Sequence, residues 1–111
     1  MINAAGSAHP TIALDVFMAK VTLSGFIVVP ESDIETVRSE LPNHIKLTRE
    51  EPGCISFNVQ QSDSEPARFD VIEEFESREA FEHHQRRVKA SLWGDVTINV
   101  ERHYEVREEP S

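Results

Sequence analysis

His84 falls on a run of apolar positions, Phe81, His84, Val88 and Leu92, at steps of three, four and four. That spacing marks the inward face of a helix. An imidazole placed there is either a hydrogen-bonded core residue or a base, because its ordinary pKa of about 6.5 lies close to working pH. Glu73 alternates with Phe69, Val71 and Phe75 along a strand pattern, so its carboxyl points the same way as their side chains. Two roles suit it: an ion pair with Arg102 on the same sheet face, or a partner that orients His84 or shares its proton, with a pKa raised by burial. Phe75, Phe81 and Trp93 are either packing residues or an apolar wall for a bound ring, and His44 adds a second imidazole at the edge of the first helix's stripe. His83 and Gln85 point elsewhere on their helix, toward solvent. His44, His84 and Glu73 could in principle form a two-histidine, one-carboxylate metal set. No local ligand spacing such as HxxxH supports it, and no metal is expected. The chain also has no glycine-rich phosphate loop, no nucleophile elbow and no CxxC pair.

Four strands and two helices must position these groups. Residues 1–17 (MINAAGSAHPTIALDVF) lack a clear period and read as an N-terminal extension, leaving 18–111 as one domain. The first strand is expected over Lys20–Val29, closed by Pro30. A helix then starts near Ser32 or Asp33 and carries Ile34, Val37, Leu41, Ile45 and Thr48 on one face. Pro42 is expected to kink or split it, and Pro52-Gly53 to end it. Strands follow over Cys54–Gln61 and Arg68–Glu76, joined by the turn-rich SDSEPA. Ser77 caps the second helix, Trp93-Gly94 ends it, and the last strand runs from about Asp95 to Val106 with Val96, Ile98, Val100, Arg102, Tyr104 and Val106 on one face.

The order βαββαβ predicts an α+β, ferredoxin-like fold, an antiparallel four-stranded sheet with both helices on one face. The other face would show Thr22, Ser24, Phe26, Val28, Cys54, Ser56, Asn58, Ile72, Thr97, Asn99 and His103. This mixture is too apolar for a solvated surface and too polar for a dry core, so a second subunit is expected to cover it.

Composition narrows the function. A chain of 111 residues supports one core. Twenty acidic against 11 basic residues give a formal charge of −9, which disfavours nucleic acid and anionic membrane as partners. Cys54 is the only cysteine, so no internal disulfide forms and a cytoplasmic location is expected; the residue itself reads as a small strand residue or, alternatively, a reactive thiol. No apolar run reaches the roughly 20 residues of a membrane span.

Two stretches, REEPGC at the first helix-to-strand junction and the run from strand three into helix two ending in SREAFEHHQ, resemble the antibiotic biosynthesis monooxygenase (ABM) family of dimeric α+β barrel proteins. The resemblance covers about Met18 to Val106. It implies a homodimer whose sheets face each other, with a pocket between sheet and helices in each subunit. Glu73 matches the acid of the family's strand-three pattern and His84 the histidine of its second helix. The activity so implied is cofactor-independent oxidation of a small aromatic, quinol-type or polyketide-like compound by molecular oxygen. A non-catalytic small-molecule-binding dimer is the alternative. Haem binding or degradation ranks lower, because its strand-one asparagine, strand-three tryptophan and late-helix histidine are replaced by Ser24-Gly25, Phe75 and Leu92-Trp93-Gly94.

Oxidation without flavin or metal requires the substrate to act as reductant. That calls for a base near its hydroxyl, donors for the charge developing on oxygen, and a dry apolar wall. His84 and Glu73 are the expected catalytic pair, and Trp93, Phe81, Phe75 and His44 the expected substrate-binding residues.

Overall fold

Alternating apolar residues build the sheet of the computed structural model, which describes residues 19–110. The expected extension over 1–17 lies outside them. The strands are β1 (Lys20–Val28), β2 (Cys54–Gln61), β3 (Arg68–Phe75) and β4 (Glu101–Glu109), in the order β2-β3-β1-β4 and antiparallel throughout. Val21, Leu23 and Ile27 of β1 are buried together with Phe69, Val71, Glu73 and Phe75 of β3. In register, Leu23 stands opposite Glu73, and Ile27 lies between Phe69 and Arg102. Gly25 sits at φ +150°, where an added Cβ would lie 1.9 Å from the His103 carbonyl oxygen, so only glycine lets β4 approach this closely. The fold is the expected ferredoxin-like α+β architecture.

A short 3-10 turn, Glu31–Asp33, leads into α1 (Ile34–Arg49), which runs through Pro42 as one helix instead of splitting there. Pro42 lies on the exposed side, away from the buried positions Val37, His44 and Thr48. The helix α2 (Arg78–Lys89) is capped by Ser77, whose hydroxyl accepts a bond from the Ala80 N–H at 3.0 Å. His84 is its one fully buried residue among those described. An apolar cluster of Ile27, Val29, Val37, Phe69, Trp93 and Val100 forms the core at one end of the sheet.

The segment after α2 departs from expectation. The second helix ends at Lys89, before Trp93-Gly94, and a further short helix, α3 (Leu92–Val96), follows, so the last strand starts at Glu101 and not at Asp95. Ser91 caps α3 by accepting the Gly94 N–H, its own hydroxyl donates to the Val88 carbonyl, and the Thr97 hydroxyl donates to the Trp93 carbonyl. These local bonds override the strand-like alternation of Val96, Ile98 and Val100. Consequently Leu92 leaves the inward stripe and is exposed, Ile98 faces solvent, and Thr97 is buried instead of lying on the outer sheet face. Asn99, which precedes β4, is likewise not a sheet residue. A register irregularity between Cys54 and Ser56 places Cys54 opposite Phe75, on the inward side, while Ser56 pairs with the outward Glu74. Burial first, and then the charge of Glu51, pushes the Cys54 thiol above its ordinary pKa, so it stays protonated near neutrality.

Candidate active site

The turn between α1 and β2 carries Glu51 into the interior, where it is 8% exposed. Its carboxylate accepts hydrogen bonds from His84 Nδ1 at 3.0 and 3.2 Å and from Arg87 Nε, while Arg87 Nη2 donates to Thr48 Oγ1 at 3.0 Å. A carboxylate only accepts, so His84 Nδ1 bears the proton and Nε2 keeps its lone pair. That nitrogen faces Glu73 Oε1 across 3.8 Å. The gap is too long for a direct hydrogen bond, and it leaves the lone pair available to a bound molecule.

Burial sets the charge states. It lowers the pKa of His84, against the opposing pull of Glu51, and keeps the ring neutral at pH 7. Desolvation first, and then repulsion from Glu51, raises the Glu73 carboxyl to about 8, so this acid is protonated near neutrality. His44, desolvated and close to His84 and Arg87, is lowered to about 3. A neutral base and a neutral acid therefore stand on two walls of one cavity.

The cavity encloses about 180 Å³ between α1, α2, α3 and the sheet, with Phe57, Val71, Glu73, His84, Trp93 and Tyr104 in its lining. Trp93 stacks flat on His44, with ring centroids 4.5 Å apart and planes 3° off parallel. Among the described residues, His44 Nδ1 is buried without a hydrogen-bond partner. Such an orphan nitrogen costs stability on the order of 1–3 kcal/mol. His44→Phe keeps the stack and removes the orphan. It is expected to raise the urea midpoint, by about 1 kcal/mol of stability.

Of the six residues singled out from sequence, four line this cavity: His84, Glu73, Trp93 and His44. Phe75 and Phe81 do not. Phe75 backs His84 with its ring 4.9 Å away, and Phe81 packs edge-on against Phe75, so both support the imidazole from behind and Phe57 takes the wall position. The alternative Glu73–Arg102 ion pair is not formed: Arg102 Nη2 donates instead to the Thr97 carbonyl at 3.1 Å. Gln85, expected in solvent, borders the cavity from its exposed position on α2. Glu51 and Tyr104 were not anticipated as site residues. No cluster of three or more His, Cys, Asp or Glu among the described residues is arranged to hold a metal ion.

Residues 21–91 match the family model described as antibiotic biosynthesis monooxygenase. The chain belongs to the antibiotic biosynthesis monooxygenase family. Solved structures share its fold at low identity. A protein of Bacteroides thetaiotaomicron described as a possible oxidoreductase is 20% identical, with a TM-score of 0.70 over 82% of this chain and 98% of that one. A candidate antibiotic biosynthesis monooxygenase of Nitrosomonas europaea is 19% identical, with a TM-score of 0.63 over 86% of this chain and 91% of that one. A protein of Shewanella oneidensis is 24% identical, with a TM-score of 0.64 over 83% and 92%. No curated protein sequence matches significantly. Among the described residues, no helix is long and apolar enough to cross a membrane.

Proposed function

We propose that this ABM-family chain is a cofactor-independent monooxygenase that oxidises a small quinol-type aromatic with molecular oxygen. The observation that carries the reading is the buried line Glu51–His84–Glu73, which presents a free imidazole nitrogen and a protonated carboxyl to the same small cavity. His84 Nε2 takes the hydroxyl proton of the bound quinol, and Glu51 stabilises the imidazolium that forms. The electron-rich anion reduces oxygen. Glu73 donates its proton to the reduced oxygen, and Trp93 and Phe57 keep water from the ring. For a hydroquinone the balance closes without an external reductant: the ring gives up four electrons, one oxygen atom enters it to form a hydroxyquinone, and the other leaves as water.

Oxygen-electrode traces with a panel of quinols and phenols test this. The parent is expected to consume oxygen, with His84→Ala slower by about 100-fold or more and Glu73→Gln impaired to a lesser degree. Binding without oxygen consumption by the parent would leave a small-molecule-binding module in place of an enzyme.

A homodimer is part of the proposal. On the outer sheet face Phe26 stacks on His103, the Arg68 guanidinium lies 3.8 Å above the Phe26 ring, and Ile72 is 49% exposed. A second copy laid on this face would bury that apolar group. Light scattering is expected to give twice the chain mass for the parent and the single mass for Ile72→Glu. A monomeric parent contradicts it.

A further inference from the structure

The cavity is small and asymmetric in charge. At about 180 Å³ it is close to the roughly 150 Å³ that accommodates one benzene ring. Its inner walls carry no formal charge, since His44 and His84 are neutral and Glu73 is protonated at pH 7. Its outer rim, between α2 and the uncovered inner face of β4, bears Arg102 and Tyr104, the latter 40% exposed. Among the described residues, Arg102 is the only cation in the lining. The Thr97 carbonyl anchors one of its nitrogens, and it makes no ion pair among the described residues. Glu101 and Glu105, the neighbouring acids on β4, alternate to the outer face and engage His103 and Arg107. In a chain of net charge −9, this guanidinium at a cavity mouth is held by Thr97 alone and meets no carboxylate among the described residues.

We propose that Arg102, with the Tyr104 hydroxyl beside it, is the specificity subsite for a carboxylate, so that the ligand is a single-ring hydroxyaromatic acid with its ring in the cavity and its acid group at the mouth. The assignment rests on the oxidation reading for the fate of the hydroxyl end, but not for binding. A guanidinium presents a planar fork of donors that suits a carboxylate, and burial holds the Tyr104 phenol protonated, at about 12, as a second donor. The hydroxyl of such an acid reaches inward toward His84 Nε2.

Trp93 is the only tryptophan, so its indole N–H resonance reports occupancy of the cavity. Gentisate, methyl gentisate and a dihydroxynaphthoate are titrated against the parent and Arg102→Gln without oxygen. Gentisate is expected to bind the parent roughly tenfold more tightly than its ester, a charge-assisted contact discounted for solvent at the rim. Arg102→Gln should erase that preference, gentisate falling to about the affinity of its ester, and a backbone amide spectrum as dispersed as the parent's verifies that the variant is folded. The bicyclic acid should not enter. Equal binding of acid and ester, a preference that survives Arg102→Gln, no binding of any probe, or entry of the bicyclic acid as readily as gentisate would each overturn the subsite. Admitting oxygen then separates the two readings. Selective binding of gentisate through Arg102 without oxidation sinks the oxidation reading alone, whereas oxidation with no preference for the acid sinks the subsite alone.

Discussion

Glu51→Ala is expected to destabilise the fold by about 3–5 kcal/mol and to abolish oxygen uptake together with it. Glu51 is almost wholly buried, and two donors converge on it from α2: the His84 Nδ1–H and the Arg87 Nε–H. Truncation leaves a guanidinium in a partly buried place with only Thr48 Oγ1 to bind, and an imidazole N–H with no acceptor. The loss therefore reflects stranded partners more than a lost attraction. Glu51→Gln separates stability from chemistry. The amide still accepts through its oxygen, so most of the fold stability should return in urea unfolding. It no longer balances an imidazolium, so oxygen uptake should stay low. Full activity in Glu51→Gln would show that Glu51 serves packing alone.

The second large effect is the dependence of stability on pH through Glu73. Its pKa rises from 4.5 in the unfolded chain to about 8 in the fold. The folded state therefore holds one extra proton between those values, and stability present below the unfolded pKa is lost as pH climbs through the folded one. At about 1.4 kcal/mol per unit, the penalty above pH 8 is on the order of 3–5 kcal/mol. Glu73→Gln stays neutral at every pH and keeps the shape of the side chain. Its stability should match the parent near pH 4 and exceed it increasingly toward about pH 9, as read by chemical denaturation at several pH values. The groups that face Glu73 favour this direction. His84 on α2 is neutral, Glu51 repels a second negative charge, and Leu23 and Phe57 flank Glu73 across the sheet. Arg102 on β4 is the one cation among the described residues that lines the cavity with it, and its Nη2 is turned to Thr97. Oxygen uptake should fall over the same alkaline range as the proton donor ionises.

Period alone made the sheet and both long helices legible, because the alternation of Val21, Leu23 and Ile27 in a strand, or Ile34, Val37, Leu41, Ile45 and Thr48 at helical steps, leaves one face to bury, although the burial of His44 in place of Ile45 shows that stripe turned slightly from its expected position. His84 could be read as an interior imidazole for the same reason, and Glu73 as an interior acid by its alternation with Val71 and Phe75. Glu51 could not. It stands in an acidic turn, after Arg49-Glu50 and before Pro52, which reads as solvated, and only the arrival of α2 from 33 residues away encloses it. The start of β4 was hidden because Val96, Ile98 and Val100 alternate like a strand, while the bonds of Ser91 and Thr97 that wind α3 involve residues common in loops. Phe75 and Phe81 lie on the faces expected of them. Whether such a ring touches the cavity or only braces His84 depends on depth, which periodicity does not encode.

The protonation of reduced oxygen at this site depends on an acid that keeps its proton in the buried cavity opposite a neutral imidazole. Infrared difference spectroscopy of the parent against Glu73→Gln, titrated from about pH 6 to pH 9, observes that proton directly. A protonated-carboxyl carbonyl band present at neutral pH, lost with a midpoint near 8 and missing from the variant, is the predicted result. A carboxylate spectrum already complete at about pH 6 would contradict it.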